Sequence, residues 1–210
     1  MTNVHIAAAA LLALIGSGAA AQETARVPVA PESRLWIEGT SNLHAWTCKA
    51  EKLEAAIDLE AGAAAHLNVA SPKALKRVQV TVPVRSLKCG HGAMDDILYK
   101  SLNADSSPNI TYVLATFEAA PLEPKETFTL RAVGALAIAG KENTIAMEVV
   151  ATRFPDGSIK ATGTVPLKMT DYGIKPPTAI FGTLRTGDEV KIKFELTLGA
   201  KAIAAAFGER

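Results

Sequence analysis

Two short stretches, "SNLHAWTCKA" from Ser41 and "SLKCGHGAMDD" from Ser86, hold both cysteines of the chain and two of its four histidines. His44 and Cys48 are spaced H-x₃-C, and Cys89 and His91 are spaced C-x-H. Two thiolates and two imidazoles are a ligand set for structural zinc. The same residues also read as a disulfide with two bystander histidines, or as free thiols. Zinc needs both thiolates reduced when it arrives. An even cysteine pair without a C-x-x-C motif, on a chain exported to an oxidising compartment, is most simply a Cys48–Cys89 disulfide.

The N-terminus argues for such export. Residues 6–18, "IAAAALLALIGSG", form an apolar run that ends in the small residues Ala19, Ala20 and Ala21. This is the h-region and A-x-A cleavage pattern of a secretory signal, and it is shorter than the ~20 residues of a membrane helix. Residues 1–21 are read as a signal peptide, 22–31 as a linker, 32–199 as one folded domain and 200–210 as a tail. The expected location is periplasmic or secreted. The chain has 22 Lys and Arg against 21 Asp and Glu, a formal net charge of +1. That balance lacks the basic stripe that binds phosphate backbones, so nucleic acid is not an expected partner.

Catalytic patterns are missing from the sequence. There is no G-x-S-x-G elbow, Gly-rich phosphate loop or H-E-x-x-H. Asp95 and Asp96 stand at a helix start, where carboxylates complement the macrodipole. Asp171 falls in a turn before Gly173. His66 and His91 read as loop residues. The chain is therefore expected not to be an enzyme and to need no metal or cofactor.

The elements that position these residues follow a period of two. In "EVKIKFELTLG", Val190, Ile192, Phe194, Leu196 and Leu198 share one face and Lys191, Lys193, Glu195 and Thr197 the other. That is a strand with one buried face. The same alternation places Val80 and Val82 on one face, with Pro83 marking a bulge or strand end. It aligns Phe128, Leu130, Ala132, Leu136 and Ile138, with Gly134 as a bend. Further sets are Ile145, Met147, Val149 and Ala151, and Ile159, Ala161, Gly163, Val165 and Leu167. The runs "KLEAAIDLEAG", "NITYVLATFEA" and "RLWIEGT" bring the count to about eight strands. Residues 154–158, "FPDGS", carry a hairpin signal, and Gly140 marks another short connection. One segment has helical spacing, with Met94, Ile97, Leu98 and Leu102 on one face. Short antiparallel strands with one helix imply a barrel or a sandwich. Aromatic residues are 5% of the chain and several inward positions are alanine or glycine. Small inward residues leave volume, so an interior cavity is one reading and a high alanine content the other.

Four blocks carry a family resemblance: "SRLWIEGTSNLHAWTC", "VPVRSLKCGHGAMDDILYKSLNADSSPNITYVLATF", "AVGALAIAGKENTIAMEV" and "GTVPLKMTDYGIKPPTAIFGTLRTGDEVKIKFEL". In this order, over residues 32–198, the chain resembles the YceI-like family. The resemblance implies an all-β, lipocalin-like, extended eight-stranded antiparallel β-barrel with one short helix. It also implies an exported protein that holds a polyisoprenoid or similar long-chain amphiphile in an apolar tunnel. The lining positions it suggests are Val80, Val82, Leu98, Tyr112, Leu114, Phe128, Leu130, Ala132, Leu136, Met147, Val149, Ala161, Val165 and Phe194. His44, Trp46 and Tyr172 are expected at the tunnel mouth, with Lys175 nearby, and bends at Gly134 and Gly163 are expected to set specificity. The expected partner is a hydrophobic small molecule or lipid, and a homodimer is open. The competing reading is a non-catalytic structural or interaction barrel of the cell envelope, filled by its own side chains.

Overall fold

The computed structural model describes residues 24–60, 75–122, 126–179 and 182–207. The signal reading of residues 1–21 and the loop reading of His66 lie outside them. The first strands are β1 (Thr24–Pro28), β2 (Arg34–Ser41), β3 (Ala45–Ala50) and β4 (Glu54–Glu60). They are followed by β5 (Leu75–Pro83), β6 (Leu87–Lys88) and the helix α1 (Gly92–Ser101). The long strands β7 (Asn109–Leu122), β8 (Thr127–Ile138), β9 (Lys141–Arg153) and β10 (Ile159–Lys168) come next. The short β11 (Thr178–Ala179), the long β12 (Leu184–Leu198) and the helix α2 (Ala200–Phe207) complete the order.

All pairings are antiparallel, along the path β1-β4-β5-β7-β8-β9-β10-β12-β2-β3-β6, with β11 beside β12. β5 and β6 are separated only by the 3₁₀ turn Val84–Ser86. β5 pairs with β4 and β7, whereas β6 pairs with β3 through Lys49 opposite Lys88. The run 75–88 therefore meets both arms of the sheet, which curls around an apolar interior.

The expected all-β antiparallel class holds, but eight strands do not. Twelve are present among the described residues, eleven of them on one path. The four strands beyond the eight read from alternation are β1, β3, β6 and β11, and β6 and β11, with two residues each, are too short to show a period. Residues 29–33 part β1 from β2, and 51–53 part β3 from β4. Pro83, with no N–H to donate, ends β5 before the 3₁₀ turn. The expected linker contains β1, which pairs with β4 from Thr24 opposite Glu60 to Pro28 opposite Ala56. The expected tail contains a second helix, α2, whose Ile203 packs with Val27 of β1, Ile57, Leu59, Ile159 and Leu198. Alanine-rich "AKAIAAAF" has high helix propensity, and its apolar face finds a sheet end to cover.

Turn chemistry is local and legible. Ile138 pairs with Lys141, leaving Ala139 and Gly140 as a two-residue loop with φ of 52° and 83°. Both positive angles fit the type I′ turn whose twist matches the strands. In the β9–β10 hairpin, Asp156 Oδ1 accepts from Ser158 N at 2.9 Å and from its hydroxyl at 2.7 Å, while Gly157 takes φ of 84°. The Gly134 bend is displaced. β8 runs straight through Gly134, and the irregularity lies opposite, in β7 between Leu114 and Thr116.

Candidate functional site

The interior is built from the inward faces of these strands. β12 contributes Ile192, Phe194, Leu196 and Leu198, and β10 contributes Ile159, Ala161 and Val165. β8 and β9 add Leu130, Ala132, Leu136, Ile145, Met147, Val149 and Ala151. β7 adds Ile110, Tyr112 and Leu114, then Phe117. The bulge after Leu114 shifts the inward parity of β7 from even to odd positions, which turns Phe117 inward. Together with Val78, Val80 and Val82 of β5 they line a partly open cavity of about 200 Å³. A second cavity, about 170 Å³, lies between the curled sheet and α1. Met94, Ile97, Leu98 and Leu102, the face read from helical spacing, all line it. His44, Trp46, Cys48, Cys89, Tyr172 and Ile174 line it too.

Three residues border both cavities: Ile37 on β2, Ile110 on β7 and Ile192 on β12. All three are buried, and Ile37 pairs directly with Ile192. They form a collar between an outer chamber under α1 and an inner chamber under the long strands. His44, exposed in the β2–β3 turn, lies at the rim of the outer chamber. At the other end of the sheet, α2 packs over β1.

The helix over the outer chamber is held from one side by chemistry. Cys48 and Cys89 are joined as a disulfide, so both sulfurs are used and the zinc alternative has no thiolate. Asp95 Oδ1 accepts from Cys89 N at 2.7 Å. The Tyr99 hydroxyl accepts from Lys88 Nζ at 2.8 Å and faces the carbonyl of Leu87 at 2.9 Å. Asp95, read from sequence as a dipole partner, thus also fixes the entry to α1.

Of the lining positions expected from sequence, all but two border the inner chamber. Leu98 borders the outer chamber, and Phe128 borders neither. Phe128 sits near the start of β8, opposite Ala151, which does line the inner chamber. His44, Trp46 and Tyr172 come together at the outer chamber; Lys175 is exposed and does not line it. The collar isoleucines and Phe117 were missed as site residues. Ile192 was legible as an inward position, whereas Phe117 depends on a bulge that alternation does not announce.

The glycines act differently from the expectation. A Cβ at Gly163 would collide with the ring of Phe194, its cross-strand neighbour. A Cβ at Gly134 would collide with Val113 O and the Tyr112 side chain, and one at Gly39 with the Trp46 ring. These glycines make room for aromatic rings. The open volume beside them is left by alanines such as Ala132, Ala151 and Ala161.

Two polar atoms stand out in this interior. The hydroxyls of Tyr112 and Tyr172 are both buried; that of Tyr112 meets no protein hydrogen-bond partner among the described residues, whereas that of Tyr172 lies beside the Asn143 side chain. An unpartnered hydroxyl costs about 1–3 kcal/mol relative to a satisfied one. Burial pushes the Tyr112 phenol up to about 12 and raises that of Tyr172 as well. Both are therefore neutral hydroxyls at physiological pH, able to donate one hydrogen bond and accept others.

With this geometry, comparison with known proteins is informative. The YceI-like domain model matches residues 38–198, well over half of the chain. The chain belongs to the YceI-like family. Its fold is similar to that of Burkholderia cenocepacia BcnA, with 18% identity and a TM-score of 0.61, over 79% of this chain and 96% of that one. It is also similar to a polyisoprenoid binding domain from Saccharophagus degradans implicated in plant cell wall breakdown. There the identity is 15% and the TM-score 0.63, over 84% of this chain and 98% of that one. The Campylobacter jejuni YCEI protein matches at 18% identity and a TM-score of 0.52, over 71% of this chain and 82% of that one. No match was found among curated proteins. The fold is thus common to this chain and to solved structures that share few of its residues.

Proposed function

We propose that this YceI-like protein is an exported, non-catalytic carrier or store for one long-chain amphiphile of polyisoprenoid type. Its chain would lie in the inner chamber and its head group in the outer one. The observation that carries this reading is the inner chamber itself: about 200 Å³ lined by aliphatic and aromatic side chains that do not fill it. The polyisoprenoid binding domain from Saccharophagus degradans, similar in fold, supports the choice of ligand class. The signal-like residues 1–21 and the Cys48–Cys89 disulfide support an oxidising, extracytoplasmic location.

The energetics suit such a ligand. Each buried methylene contributes about 0.8 kcal/mol, so some fifteen contribute roughly 12 kcal/mol. Association costs of about 4 kcal/mol or more are subtracted, which leaves binding in the micromolar range without any polar contact. Solvent extraction of the exported, purified protein followed by mass spectrometry should yield one lipid per chain. Repeated empty extracts, with no uptake of a hydrophobic dye by the protein, would replace the carrier with a structural barrel of the envelope.

A further inference from the structure

Three of the residues that line the outer chamber are exposed: His44 in the β2–β3 turn, Ile97 on α1 and Thr178 on β11. They mark its mouth. Leu43, next to His44, is 69% exposed, the most of any large hydrophobic side chain among the described residues, and Ile97 is 38% exposed. The other exposed apolar side chains lie elsewhere. Val113 and Val150 stand outward on β7 and β9, and Phe154 is in the β9–β10 hairpin, whose Gly157 lies beside Ala200 of α2. The turn that presents Leu43 is firmly held. Ser41 Oγ accepts from Leu43 N at 3.2 Å and from His44 N at 3.1 Å. Asn42 clamps the turn to the start of β12. Its side chain donates to Thr183 O at 2.8 Å and accepts from Arg185 N at 2.9 Å, and its own N donates to Arg185 O at 3.0 Å.

One exposed leucine needs no explanation. This one shares the mouth with Ile97 and with unpaired charge. Lys100 on α1, Lys175 ahead of β11 and Arg185, which pairs with Thr178, are exposed on the segments that frame the mouth. None of the three meets a carboxylate among the described residues. At about 100° per residue, Lys100 stands beside Ile97 on the flank of α1 away from the side tied by Asp95 and Tyr99. By the same spacing Asp96 falls opposite the chamber-facing residues. Asp171, exposed four residues before Lys175, offsets part of the charge. The whole chain has a net charge of only +1, so attraction to an anionic surface has to come from such a local cluster.

We infer that the mouth of the outer chamber docks on a bilayer bearing anionic headgroups. Leu43 and Ile97 enter the interface, and Lys100, Lys175 and Arg185 meet lipid phosphates. Three cations are fewer than the roughly four to eight of a purely electrostatic anchor, and two aliphatic side chains are a weak anchor alone. The two act together, and binding is reversible. A cargo chain then passes between bilayer and outer chamber without crossing water. The docking itself does not depend on the cargo; the purpose given to it rests on the carrier reading.

The test floats the exported, purified protein, disulfide intact, with vesicles of phosphatidylcholine alone or of an equal mixture with phosphatidylglycerol. It should bind the mixture, and less as salt is raised. Leu43→Ser should weaken binding about five- to ten-fold, part of what full burial of a leucine contributes. Arg185→Gln should weaken it about five-fold, the share of one cation at an anionic surface. Val150→Thr, as exposed as Ile97 but on the sheet wall, should change nothing. Leu43 lines neither chamber, so Leu43→Ser should keep its dye uptake in vesicle-free solution. Binding that is absent, equal on both vesicle types, or unchanged in Leu43→Ser and Arg185→Gln overturns the inference. So does a dimer in vesicle-free solution that Leu43→Ser dissociates, since the mouth is then a contact between two copies. In each of these cases one extracted lipid per chain leaves the carrier reading standing. Empty extracts with intact vesicle binding remove the carrier and keep the docking.

Discussion

Tyr112, Phe194 and Trp46 each lie over a glycine, and the pairing is steric. Gly163 and Phe194 face each other across β10 and β12, so the ring occupies the space a Cβ would take. Gly163→Val should therefore destabilise the fold by about 1–3 kcal/mol through overpacking, read as a lower denaturant midpoint. Asp188 acts at the same scale. Its carboxylate accepts from Thr170 N at 2.9 Å and from the Thr170 hydroxyl at 2.7 Å, which ties down the turn that carries Tyr172. Those bonds hold Asp188 below the ordinary carboxylate range. A group whose folded pKa is depressed stabilises the protein above its unfolded value, about 3.9, and loses that contribution as pH falls through the folded value. Asp188→Asn should accordingly flatten the acid side of the stability curve below pH about 4, with little change in its slope near neutrality. Urea melts across that range check it.

Among the elements, the β8–β9 hairpin and α1 make separate demands. Ala139 holds φ of 52° in a turn that favours Asn at that place, because the Cβ of alanine is unfavourable in the left-handed region. Ala139→Asn, giving Asn-Gly, should raise stability by about 1 kcal/mol, seen as a higher melting temperature. The helix α1 depends on a covalent tie instead. Its face toward the outer chamber is apolar, and no residue of the helix is fully buried. The Cys48–Cys89 bond spans a sequence separation of 41. Constraining a loop of that length stabilises by about 4 kcal/mol at most. The combined variant Cys48→Ser with Cys89→Ser should lose a large part of this in denaturant melts. Its amide exchange should rise first in α1, where local packing is weakest.

For the whole molecule, the curled sheet decides how much space is left inside. Ala161 lies between Ala151 on β9 and Leu196 on β12 and borders the inner chamber. Ala161→Phe should fill that space and reduce dye or lipid uptake at least ten-fold, with the circular dichroism spectrum preserved. Uptake unchanged from wild type would mean that the chain does not occupy the chamber Ala161 lines. The substitution tests the interior as a space, independent of where the protein docks.

Alternation in the sequence was enough to identify the long strands and to place Ala132, Met147, Ala161, Val165 and Phe194 on inward faces. Period two is a property of the backbone and needs no tertiary information. The turns at Gly140 and Gly157 were legible for the same reason, since a positive φ leaves its mark on the local residues. Other features depended on contacts between residues distant in the chain. Whether an inward glycine opens space or hosts a ring is decided by the strand beside it. The bulge that turns Phe117 inward is a mismatch between two strands, and the collar joins Ile37, Ile110 and Ile192 from three of them. Strand number also grew with tertiary structure, because β6 and β11, two residues each, exist only through their pairing with β3 and β12. The sequence by itself determined the inward side of the regular long strands; only the tertiary structure decided where β7 reverses its inward face and how those faces divide one interior into two chambers, because bulges and cavity shape are set by packing between strands.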